Sequence, residues 1–232
     1  MSTTTPGHAY APTERTVPTR GRERAAYDRE LVHAILDDGY LCHLGFVRDG
    51  APVVLPTLYA RVGERLYVHG STGSRPLRAT GSSDSGLPVC LTVTHLDGLV
   101  LARSAFHHSV NYRSVVVHGT AHRVDDPAER AVALDAIVDQ AVPGRSADSR
   151  PADARELAAT AVIALDLEEV SAKVRTGGPN DEPEDLSLPH WSGVVPVRRV
   201  YGAPVPAEDM AAGAAVPGYL DPGVLARTTG NG

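Results

Sequence analysis

The feature that most constrains this chain is a succession of short β-rich runs joined by tight turns. YLCHLGFV leads through Arg48-Asp49-Gly50-Ala51 into PVVLPTLYAR, and a turn around Gly63 leads into RLYVH. β-formers fill these runs and turn residues punctuate them, which predicts a three-stranded antiparallel meander. After a Gly/Ser loop at 70–74 come VCLTVTHL, a turn at Asp97-Gly98, LVLARSAF and later SVVVHGTAHRV. Roughly six strands with mostly short connections fit a barrel or sandwich, not a βαβ plan.

Helices are expected at the periphery. Leu31, Val32, Ile35 and Leu36 share one helical face, with Asp28 as a candidate cap and Gly39 as a stop. Asp126-Pro127-Ala128-Glu129 combines an N-cap residue, proline at the first helical position and an acid at the third, and so opens a helix ending near Pro143. A second helix is expected over 151–160, after which AVIALDLEEVSAKVR reads as one late strand. Residues 1–22 lack periodicity and read as a flexible arm, 203–232 as a loosely ordered tail, and 23–202 as a single domain. A chain of 232 residues with 42% hydrophobic composition can fill one such core.

The formal charge of −6 disfavours nucleic acid and anionic membranes as partners. Cys42 and Cys90 lie far apart in apolar runs, where free cysteine behaves as a small hydrophobe, so a reduced, cytoplasmic setting is expected. The first twenty-odd residues hold no apolar core of an export signal, and no apolar run is long enough to span a bilayer.

Ten histidines invite a metal site, but HExxH and CxxC are absent, as is the serine-hydrolase motif GxSxG. His118 and His122, four residues apart on a strand, would be separated by about 13 Å. No metal is therefore expected. The stronger signal is LYVHGSTGSRPLR, residues 66–78, where a strand runs into small residues followed by Arg75. Close backbone approach, hydroxyls at Ser71 and Ser74 and an arginine fork suit a phosphate monoester, although a solvated turn would look similar.

The order of LPTLYARVGERLYVHGSTGSRPLR, LPVCLTVTHLDGLVLARSAFHHSVNYRSVVVHGTAHRV, EEVSAKVRTGGP and HWSGVVPV over residues 24–200 resembles the pyridoxamine 5′-phosphate oxidase-like flavoproteins, in the branch related to nitroimidazole resistance. The resemblance implies a six-stranded antiparallel split β-barrel with peripheral helices, a homodimer, and FMN between the subunits. Carried onto this sequence, Val54, Leu55, Pro56 and Thr57 would line the isoalloxazine, and His69, Gly70 and Ser71 would begin the phosphate loop. Ser74 and Arg75 would hold the phosphate, Tyr112, Arg113 and Ser114 would meet the flavin across the interface, and Lys173 would sit by the flavin carbonyl edge. Trp191 would cover the ring from the partner.

The implied activity is that of an FMN-dependent oxidoreductase acting on a small organic substrate, with reduced nicotinamide as a candidate hydride source and His69 and Tyr112 as candidate proton donors. The arginine and histidine pair that grips substrate phosphate in pyridoxamine-phosphate oxidases is not found, so vitamin B6 oxidation is not implied. A flavin-binding sensor without turnover, or a split barrel holding haem or deazaflavin instead, are the alternatives.

Overall fold

A computed structural model of the chain describes residues 8–73, 86–211, 213 and 215–228. In chain order they form β1 (Ala25–Ala26), α1 (Arg29–Asp37), β2 (Leu41–Arg48), β3 (Ala51–Val62), β4 (Arg65–Ser71), β5 (Leu87–Leu101) and β6 (Ser109–Arg123). Then follow α2 (Pro127–Ala141), α3 (Ala154–Ala159), β7 (Thr160–Asp166), β8 (Glu169–Arg175), β9 (Gly193–Pro196) and α4 (Pro222–Thr228). The expected meander is β2, β3 and β4. Its first turn places Asp49 at φ 50° and Gly50 at φ 77°, the left-handed pair that a two-residue hairpin requires.

The chain forms two compact units, one of Met1–Ile35, Thr92–His118 and Glu168–Arg198, the other of Leu36–Leu91, Gly119–Leu167 and Arg199–Gly232. Strands β5 and β6 run through both. The hydrogen-bonded order is β1-β8-β6-β7-β4-β3-β2-β5-β9, and β5 pairs again with β6, so six of the nine strands close a ring. The fold is mainly antiparallel β with peripheral helices, as a split barrel requires.

In the first unit Val32, Val93, Val100, Val115, Val117 and Val170 are fully buried. The supposedly flexible arm belongs to this unit from residue 8 onward. Tyr10 is 3% exposed, its hydroxyl lies 3.0 Å from His33 Nε2, and the Arg29 guanidinium stacks 4.1 Å from its ring centroid. Tyr27 donates to the Thr16 carbonyl, and Arg15 pairs with Glu169. One buried tyrosine removes enough area from water to hold a segment that has no periodic pattern of its own.

In the second unit, α2 packs on the sheet through a cluster of Ala60, Tyr67, Val124, Ala133, Ile137, Val162 and Ala164. Asp126 caps the helix by accepting from the Ala128 and Glu129 amides, as its sequence predicts. Glu129 then accepts from Tyr67 Oη at 2.8 Å and from Arg65 Nη1 at 2.7 Å, while Arg65 Nε reaches Asp166 at 2.7 Å. Helix α2 is thereby fixed on β4.

Two strand boundaries differ from expectation. Asp97-Gly98 makes no turn, because β5 continues through it: Arg113 grips both Asp97 oxygens at 2.9 and 3.0 Å, and Gly98 lets β9 approach. A Cβ on Gly98 would stand 3.0 Å from Val194 Cγ1. The late strand is two strands, β7 and β8, split where the Leu167 amide turns aside to the Glu64 carbonyl. Nor is the tail loose throughout, since Leu225 is buried and Tyr219 is bonded to both Arg145 and Asp148.

Candidate functional site

Alternation along β4 puts Tyr67 and His69 on one face. Tyr67 is held by Glu129 near the start of α2, and β4 then advances about 13 Å from Arg65 to His69. Helix α2 advances about the same distance from Glu129 to Val138. The imidazole accordingly comes to lie beside the last turns of the helix. Leu58, His69, Leu134, Ile137, Val138, Ala141 and Val142 line a cavity of about 560 Å³ within the second unit. That volume is in the range of small-molecule and cofactor sites.

The segment between α2 and α3 forms the rest of the wall, including Arg145, Ser146, Ser149, Arg150 and Pro151. It is a built turn. Asp139 accepts from the Ser146 amide at 2.8 Å and from its hydroxyl at 2.7 Å. Asp153 and Glu156 form a capping box at the start of α3, and Glu156 also accepts from Arg150 Nη2 at 2.6 Å. The Arg150 guanidinium holds the Glu156 carboxyl below the usual carboxylate range.

His69 is the chemically distinctive group in the cavity. Its Nδ1 is shielded from water yet has no hydrogen-bond partner. Burial pushes its pKa below the ordinary histidine value, so the ring is neutral at neutral pH and one nitrogen carries an available lone pair. A buried polar atom left unpaired costs stability.

The other expected site residues are distributed as follows. Val54, Leu55 and Pro56 are exposed on β3 and Thr57 is half-buried, while Gly70 and Ser71 close β4 opposite Ala161 and Thr160. Ser74 and Arg75 lie outside the described residues. In the first unit Tyr112 is half-buried and pairs with Arg175 across β6 and β8. Arg113 is committed to Asp97, Ser114 donates to the Lys173 carbonyl, and Lys173 Nζ donates to the Arg20 carbonyl at 3.2 Å. Trp191 is 65% exposed and lies over Gly193, whose Cβ, were there one, would stand 2.9 Å from the indole.

Sequence reasoning placed His69 at the head of a phosphate loop and missed the cavity beside it. The missing wall comes from α2 and the turn after it, more than sixty residues downstream, and Arg145 and Arg150 are two among many arginines. Their setting, VPGRSADSRPADARE, is the only local sign.

Known proteins give the chain its relatives. Residues 28–174 match the family model described as pyridoxamine 5′-phosphate oxidase. The flavocytochrome Anf3 from Azotobacter vinelandii is 41% identical, covering 91% of this chain and 97% of that one, with a TM-score of 0.83. The FAD and haem binding protein from Mycobacterium smegmatis is 42% identical over 85% of this chain and 95% of that one, with a TM-score of 0.79. A candidate 5-nitroimidazole antibiotic resistance protein from Bacteroides thetaiotaomicron VPI-5482, 19% identical over 65% of this chain and 86% of that one, shares the fold at a TM-score of 0.52. No curated protein matches. The family model covers well over half of the chain and two relatives above 40% identity span nearly all of it, so this chain belongs to the pyridoxamine 5′-phosphate oxidase family.

Proposed function

We propose that the protein is a flavin- and haem-binding oxidoreductase whose haem occupies the cavity between β4 and α2, with His69 as the iron ligand. The observation that carries this reading is the placement of His69, an imidazole that burial keeps neutral, in the wall of a largely aliphatic cavity of about 560 Å³. A bare metal ion does not suit the site, because one imidazole is too few ligands. Among the described residues no cluster of three or more His, Cys, Asp or Glu exists to hold one. A haem iron, already held by its macrocycle, needs only an axial nitrogen. Two relatives above 40% identity, one described as a flavocytochrome and the other as binding FAD and haem, support haem as the group bound.

The flavin in this reading is a nucleotide of the FAD type, which replaces the expected FMN because the M. smegmatis relative is described by FAD. A flavin exchanges electron pairs with organic donors and a haem exchanges single electrons, so the pair would couple the two kinds of chemistry. The protein's own part is to hold the groups. The aliphatic side chains of α2 exclude water, and burial keeps His69 neutral for ligation. His69 is thereby withdrawn from the proton-donor role that the flavin reading alone assigned to it. The second copy that would complete a flavin cleft is part of the proposal, and the bare apolar face of β2 and β3 supports it.

Absorption spectroscopy of the purified protein, with release and identification of its chromophores, tests the reading. A haem Soret band together with FAD is the expected result. Protein that takes up flavin but shows no Soret band after incubation with haem would return it to a flavin-only site.

A further inference from the structure

We propose that Arg145 and Arg150 form an anion-recognising rim on the His69 cavity and hold the two propionate carboxylates of the haem, with Tyr219 positioning Arg145. This deepens the haem reading and rests on it. The cavity is two-sided. Leu134, Ile137, Val138, Ala141 and Val142 give it an aliphatic wall, and Arg145 and Arg150 come from the turn segment that follows α2, with Asp135 and Glu156 as the carboxylates in the same lining. A haem has the matching division, an apolar macrocycle with two carboxylates on one edge.

The arginines are oriented but not saturated. Arg145 donates from Nη1 to the Tyr219 hydroxyl at 3.0 Å and stands 3.5 Å from Asp148, and its Nε and Nη2 have no partner among the described residues. Tyr219 in turn donates to Asp148, so this tyrosine of the C-terminal segment braces the guanidinium from outside the cavity. Arg150 donates from Nη1 to the Pro151 carbonyl at 2.8 Å and from Nη2 to Glu156 at 2.6 Å, leaving Nε. Its ion pair is exposed, with side-chain exposures of 66% and 47%, so a carboxylate can join it or exchange into it at small cost. A guanidinium held with free N–H groups is suited to a planar carboxylate.

The test titrates apoprotein with haem and with haem dimethyl ester, which keeps the macrocycle and iron but lacks both charges. Binding is read from the Soret band. Wild type should prefer haem, and the Arg145→Ala/Arg150→Ala variant should lose about three- to thirtyfold in haem affinity with no comparable loss for the ester. Tyr219→Phe should lose about two- to threefold for haem alone, and Arg145→Lys should recover most of the affinity that Arg145→Ala loses. Equal haem affinity in wild type and double variant would overturn the rim assignment, as would a parallel loss for the ester, which would mark the arginines as structural. Wild type that binds haem and ester equally well refutes the rim while leaving the haem reading intact. Wild type that binds neither refutes both.

Discussion

At the scale of single residues, His69 has the sharpest consequences. Its pKa is lowered by burial, so the folded state resists protonation where the unfolded chain, near the ordinary value of about 6.5, accepts a proton. Stability of the apoprotein is therefore full above that range and declines as pH falls through it, until the folded-state pKa is reached. Thermal melts between pH of about 8 and about 5 should show His69→Ala losing less Tm on acidification than wild type. Some decline should persist, because burial, aided by Arg15, lowers His118 as well. Identical pH profiles would show that the ring is not sheltered. The residue type and its strand were legible in LYVHG, but its neighbours were not: strand alternation tells which face a side chain takes, not which distant helix covers that face.

Among elements, the short strands were read well where turn chemistry and alternation agreed, as in β2 to β4, and less well where a turn-like dipeptide serves another purpose. Asp97-Gly98 has a turn composition, yet Asp97 is an anion for Arg113 and Gly98 a gap for β9. Helix starts were legible because caps are local, and Asp28 and Asp126 both accept from amides in their first turns. The end of α1 depends on a remote residue. Gln140 Nε2 donates to the Gly39 carbonyl at 2.6 Å and to that of Leu36 at 3.1 Å. Gln140→Ala takes the donor from the Gly39 carbonyl, while that of Leu36 keeps the Tyr59 hydroxyl, and should cost about 1 kcal/mol in urea unfolding. A loss below about 0.3 kcal/mol would mean that water replaces the amide. Gly86 is a stricter case, at φ 70° with Ala121 O only 2.8 Å from any added Cβ. Gly86→Ala should destabilise by at least about 1–3 kcal/mol in the same assay, and a neutral result would show that the start of β5 can shift.

At the scale of the whole molecule, one face of the β2–β3 hairpin stays bare. Leu41 stands opposite Leu58, Gly45 opposite Val54 and Val47 opposite Pro52. Val47 and Val54 are 65% and 62% exposed. His43, opposite Pro56, is the polar interruption; largely apolar exposed faces of this kind usually meet a partner, and self-association is the economical way to cover one. Light scattering should give a homodimer, and Val54→Glu should weaken it by about tenfold or more, since an unpaired carboxylate would be forced into the interface. A monomer at micromolar concentration, or a Val54→Glu dimer as tight as wild type, would contradict this. No described helix is long and apolar enough to cross a membrane. The family was legible in the order of motifs across the chain, whereas the cavity beside His69 was not, because it exists only once α2 has docked on β4.

Ligation of haem iron by His69 is tested most directly by imidazole rescue of a His69→Gly variant. The glycine variant should lose the wild-type Soret position and most of its haem, and added imidazole should restore both by refilling the vacated ligand position. A His69→Gly protein whose haem spectrum matches wild type without imidazole would show that the iron ligand lies elsewhere.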